Sequence, residues 1–190
     1  MKFTTTNTLL SALSLLLLPA SSLSLSLSPS DLLARTSTGT QYLQATSIVT
    51  KNGNSAFECW RLSNPFVTST AAGTSGASSL FIDNLANVTY TVLPERFEGG
   101  VHNAPHPQLV IFLSGLAHIT LPHAPQSVWA FGGAEGLIFA VDTTGTGHNT
   151  SYPGPIPTVA LQIPLAGGVL PPYSVVHEGP CRNVKEIVTA

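Results

Sequence analysis

Beyond its first residues the chain is cut into short apolar runs of four to eight residues. From Ile48 onward AFECWRLS, SSLFIDN, NVTYTVLP, QLVIFLSG, LAHITLP, SVWAF, GLIFAVD and TVALQIPL follow one another, rich in β-branched and aromatic residues. Gly, Pro, Asn and Ser fill the gaps, with 16 Gly and 15 Pro in 190 residues, which leaves only Ser30 to Arg35 as a window for a capped helix. Many short strands between turn signals predict an all-β sandwich or barrel with little helix, and the length suits a single domain. In QLVIFL both alternating faces are apolar: Gln108, Val110 and Phe112 on one, Leu109, Ile111 and Leu113 on the other. Such a strand is expected to be buried twice, inside a barrel on one side and under a second sheet or a partner chain on the other.

The first residues, MKFTTTNTLLSALSLLLLPASSLS, carry an early Lys, a Leu-rich stretch from Leu9 to Leu18, and small residues at Ala20 and Ser22. This predicts a secretory signal over residues 1–22; a membrane anchor is the alternative, but the apolar stretch is well short of the ~20 residues that span a bilayer. Residues 23–45, opening with alternating Ser and Leu, are expected to be a flexible N-terminal segment, and 46–190 the folded domain. The expected location is outside the cell or in the lumen of the secretory pathway.

In an oxidising compartment Cys59 and Cys181 are expected to form a disulfide, since as a metal pair they lack C-x-x-C spacing. Two sequons, Asn87-Val88-Thr89 and Asn149-Thr150-Ser151, fit a glycoprotein. Charged residues are 8% of the chain and the net charge is −2, so nothing supports binding to nucleic acid, and no segment suits a membrane partner.

Two polar clusters stand out. The first is HNAPHPQ, residues 102–108, placed directly before the QLVIFL strand. His102, His106 and Gln108 share one parity and would line one face of an extended segment. The second is DTTGTGH, residues 142–148, in which an apolar strand runs into Asp142, then a Thr/Gly turn, then His148. Neighbouring strands of a small barrel would bring the two together.

With His102-Asn103-Ala104-Pro105-His106-Pro107-Gln108, then Leu113-Ser114-Gly115, then Asp142-Thr143-Thr144-Gly145-Thr146-Gly147-His148, the sequence resembles the small single-domain members of the cupin superfamily over residues 87–152. The resemblance implies a jelly-roll β-barrel with its site inside the barrel, and a homodimer is a common state there. It also implies a ligand set of H-x-H, a Glu and a final His. Here His102 and His148 match the outer members, Gln108 stands in place of the Glu, and Asn103 and Ala104 occupy the place of the second His.

Two chemistries stay open. His102, His106 and His148, with Asp142 either supplying a carboxylate or capping its turn, would hold one divalent transition metal. Without a metal, His102 and His148 form an acid/base pair, since imidazole gives and takes protons near neutral pH, and Gln108 orients an oxygen. Val110, Phe112, Phe139 and Trp129, with His106 at the rim, would then bind a small aromatic or polyketide-like molecule. The expected function is an isomerase or cyclase acting by proton transfer. A metal-dependent oxygenase and a non-catalytic small-ligand binder are the alternatives. His118, His123 and His177 are read as structural or surface residues, Glu95, Arg96 and Glu98 as a solvated turn, and Trp60 as core packing beside the disulfide.

Overall fold

The computed structural model describes residues 39–181 and the backbone of Ile187–Thr189. The expected signal and the Ser30 to Arg35 window lie outside the described residues. The strands are β1 Gln41–Lys51, β2 Asn54–Pro65, β3 Val67–Thr68, β4 Ser78–Ser79, β5 Thr89–Leu93, β6 Phe97–His102, β7 Gln108–Ser114, β8 Leu116–Leu121, β9 Ala124–Phe131, β10 Leu137–Ala140, β11 His148–Tyr152, β12 Thr158–Pro164, β13 Tyr173–Glu178 and β14 Ile187–Thr189. Beside them a single 3₁₀ turn, Ala166–Gly168, is described. The fold is all-β. β1 begins at Gln41 and buries Leu43 and Ala45, so the folded domain starts inside the segment expected to be flexible.

One sheet has eight strands in the order β13-β2-β1-β10-β7-β12-β5, with β14 also paired to β1; a second runs β6-β11-β8-β9; β3 and β4 form a small pair. No closed barrel path links them among the described residues. Pairing is antiparallel except between β1 and β10. The hairpin joining β1 to β2 turns at Asn52 and Gly53, both at positive φ, as a tight two-residue turn between right-twisted strands requires.

Alternation sorts the side chains into two apolar clusters. Ile48, Phe57, Val110, Phe112, Ile138 and Ala160 of the large sheet meet Ala117, Ile119, Leu121 and Ala130 of the small one, and this is the core between the sheets. Leu43, Trp60, Leu62, Leu109, Phe139 and Ile163 point to the other face of the large sheet, where Phe66, Leu80, Ile82 and Leu170 pack on them. β7 therefore contributes to both clusters, as its two apolar faces require. Its last outward residue, Leu113, is 45% exposed.

Trp60 is fully buried in the outer cluster, stacks on Tyr173 at 3.7 Å and donates from Nε1 to Glu58 at 2.7 Å. Its neighbour Cys59 points the opposite way along the strand, so Trp60 packs against Tyr173 and Phe139 and not against the disulfide. Cys59 and Cys181 are joined as expected, closing a span of 122 positions.

Candidate functional site

The two polar clusters meet across one strand pair. β6 and β11 lie antiparallel with His102 directly opposite His148, and the ring centroids are 4.6 Å apart. Two features of the backbone make that register. Gly100, at φ +71°, sits in a bulge where β6 carries one more residue than β11. Gly147, at φ +72°, passes so close to His102 that a Cβ there would lie 2.6 Å from its carbonyl oxygen. The Asn103 amide then ties the clusters together by donating to the carbonyls of Asp142 (2.9 Å) and Thr144 (3.0 Å).

His148 is buried and His102 is exposed, so the pair runs from the interior to the surface. Asp142 is fully buried and does not cap its turn through its carboxylate; Oδ2 lies 2.8 Å from His148 Nδ1 and accepts a 2.6 Å hydrogen bond from Ser55 Oγ. Its Oδ1 is buried and has no hydrogen-bond partner among the described residues. An ionised carboxylate only accepts, so Nδ1 of His148 carries a proton, and in the neutral ring Nε2 keeps its lone pair. The same logic holds for His102, whose Nδ1 is 2.9 Å from the Gly100 carbonyl oxygen. Both imidazoles are thus held in one tautomer, with Nε2 free of these bonds.

They line a cavity of about 40 Å³ with Gln108, Thr150, Tyr152 and Gln162. Its apolar wall is Val110, Phe112, Ile119 and Ile138. That volume has room for roughly two or three waters or a few ligand atoms. Among the described residues no Lys or Arg lines it. Burial pushes the Tyr152 phenol up from 10.0 to about 12, so at neutral pH it is a hydroxyl donor. A larger hollow of about 170 Å³ lies between β1, β9, β10 and the disulfide; among the described residues its lining holds one acid, Glu135, and no His.

Of the residues singled out by sequence, His102, Gln108, Val110, Phe112 and His148 share this cavity. Three do not. Phe139 pairs with Leu109 and shares its outward face; its neighbours Ile138 and Ala140 are the ones that face inward. Trp129 is on the outer face of β9 and stacks on His118 at 3.9 Å. His106 is exposed in the bend before β7 and does not line the cavity. The three-His metal set is therefore not assembled, and among the described residues no group of three or more His, Cys, Asp or Glu is placed to hold a metal.

Tyr152, Thr150, Gln162 and Ser55 were missed by the sequence reading. Thr150 and Tyr152 follow His148 at a spacing of two, the same signal that linked His102 to Gln108. Ser55 carries no such signal, since it reaches Asp142 through the β1–β2 hairpin. Asn87 is exposed, and Asn149 is partly exposed on the side of β11 away from His148.

The Tyr152 shift has a measurable consequence. Below pH 10 the phenol is protonated in folded and unfolded chains alike; between about pH 10 and 12 only the unfolded chain releases its proton, so stability falls with rising pH by up to about 2–3 kcal/mol. Tyr152→Phe is expected to lack this part of the alkaline loss. Denaturant midpoints of both proteins at about pH 9 and about pH 11.5 measure it, and equal losses would refute the burial argument.

Comparison with models of known families, with curated proteins and with solved structures finds no match.

Proposed function

We propose that this chain is a secreted, cupin-like jelly-roll enzyme that moves protons on a small uncharged molecule, in an isomerisation or an intramolecular cyclisation without net oxidation. The observation that carries the reading is the buried Ser55–Asp142–His148 chain ending in an open Nε2 beside the second imidazole of His102. Nε2 of His148 takes a proton from the C–H or O–H of an enolisable ketone or a phenol, and the Asp142 carboxylate faces the positive charge that the imidazole gains. Gln108 and Tyr152 supply N–H and O–H donors to the oxygen that becomes negative. The imidazolium of His148 returns that proton to another atom, directly or by way of the bare Nε2 of His102 at the mouth, and the molecule leaves as an isomer.

Substrate charge follows from the lining. With no Lys or Arg among the described lining residues, a carboxylate or phosphate would lose its water shell with no fixed positive charge to offset the loss, at a cost of several kcal/mol. A neutral phenol, enol or carbonyl pays no such penalty. The volume admits the reacting end of such a molecule, with its body lying outward past His102.

The oxygenase alternative needs a donor set that these residues do not make. His102 and His148 offer two nitrogens, Gln108 offers an uncharged amide, and the Asp142 carboxylate is committed to His148 and Ser55.

The test is solvent-deuterium incorporation, read by NMR, into a panel of neutral enolisable ketones and phenols, with anionic analogues beside them. Incorporation into neutral probes that survives exhaustive chelation is the expected result. Incorporation that chelation abolishes would overturn the proposal in favour of the metalloenzyme. Saturable binding with no incorporation would leave a ligand-binding protein.

A further inference from the structure

The outer face of the four-stranded sheet carries an aromatic pair that the site does not use. Strand alternation places Asn149 and Ser151 of β11, His118 and Thr120 of β8, and Ser127 and Trp129 of β9 on the side away from the core. In register, Asn149 lies opposite Thr120, Ser151 opposite His118, and His118 opposite Trp129. The His118 and Trp129 rings stack 3.9 Å apart and within 10° of parallel, yet Trp129 remains 49% exposed. No described strand packs over this face.

Asn149 opens a sequon on the same face, one diagonal step from His118, about 7–8 Å by ordinary sheet geometry. Its neighbours His148 and Thr150 point into the cavity, so a group on Asn149 leaves the site clear. We propose that Asn149 carries an N-linked glycan whose first sugars lie over the His118–Trp129 pair. A pyranose has a C–H face that suits an aromatic ring, while its hydroxyls and amide match the hydroxyls of Thr120, Ser127 and Ser151. Covalent attachment on the same face supplies a high effective concentration, so a weak contact is enough to hold the sugars down.

The two tryptophans make this readable. Trp60 is fully buried, so collisional quenching of fluorescence by acrylamide reports Trp129. The full chain is produced in a eukaryotic secretory host, the peptide bearing Asn149 is weighed, and quenching is measured before and after enzymatic removal of N-glycans. The expected result is a modified Asn149 and a quenching constant that rises about twofold on stripping, as a covered ring becomes a half-exposed one. Asn149→Gln should match the stripped protein, and Asn87→Gln should match the untreated one. An unmodified Asn149 in the secreted protein overturns the proposal, and so does a modified Asn149 whose removal leaves quenching unchanged, because the glycan then points into solvent. Protection that persists in Asn149→Gln and grows with protein concentration would instead assign the face to a second copy of the chain.

Discussion

His148→Ala is expected to lower the rate of deuterium incorporation by about 10²–10⁴-fold, the usual worth of a positioned general acid or base. The melting temperature should fall as well, because the fully buried Asp142 carboxylate then keeps only Ser55, so rates are compared where both proteins are folded. Asp142→Asn separates charge from orientation. Ser55 and His148 both bond to Oδ2, so an asparagine can place its carbonyl oxygen there and put its amide nitrogen at the unpartnered Oδ1 position. That variant keeps the His148 tautomer and loses only the negative charge, so its rate should fall between wild type and His148→Ala. Asp142→Ala, which removes both, should approach His148→Ala. Equal, full rates in His148→Ala and wild type would remove the base from the mechanism.

Removing the disulfide is expected to have the largest effect on stability. Cys59 is buried at the centre of β2, and Cys181, whose backbone N–H donates to Thr46 Oγ1 at 3.0 Å, returns the chain to the same sheet after β13. The bond closes a span of 122 positions, for which loop-closure entropy in the unfolded chain gives about 4–5 kcal/mol. A Cys59→Ala/Cys181→Ala variant should therefore melt roughly 10–20 °C lower. Wild type held in reductant should move toward it, as followed by circular dichroism. A drop of only a few degrees would mean that the unfolded chain is already compact, or that the sheet holds this end of the chain without the bond.

What could be read from sequence was whatever period two or turn chemistry encodes. The inward set Gln108, Val110 and Phe112 follows from alternation along one strand, and the twofold burial of β7 from two apolar faces. The Thr/Gly turn before His148 is legible because only glycine tolerates Gly147's approach to His102. Phe139 went astray because parity within GLIFAVD has no anchor until the pairing of Ala140 with Gln108 is known. Trp129 was placed by its aromatic character, although β9 keeps Val128 and Ala130 for the core and turns Trp129 outward. His106 shares parity with His102, but Pro105 and Pro107 flank it, and the chain bends there before the strand begins at Gln108. The Ser55–Asp142 contact spans 87 positions and depends on the tertiary fold alone.

The resemblance implies a closed barrel, and among the described residues the strand pairing gives two sheets with no closed path between them. The site is independent of that difference, because β6, β11, β7 and β10 position His102, His148, Gln108 and the inward apolar wall.

The central claim is that His148 presents a lone pair on Nε2 to a neutral molecule in the cavity. Long-range ¹H–¹⁵N NMR of protein labelled at its 6 histidines tests it most directly, with each signal assigned by single substitution. The expected spectrum has His148 protonated at Nδ1 and bare at Nε2, with the Nε2 signals of His148 and His102 alone moving when a neutral phenol or ketone that exchanges deuterium is added. Protonation of neutral His148 at Nε2, or unmoved His148 and His102 signals while exchange continues, would contradict the account.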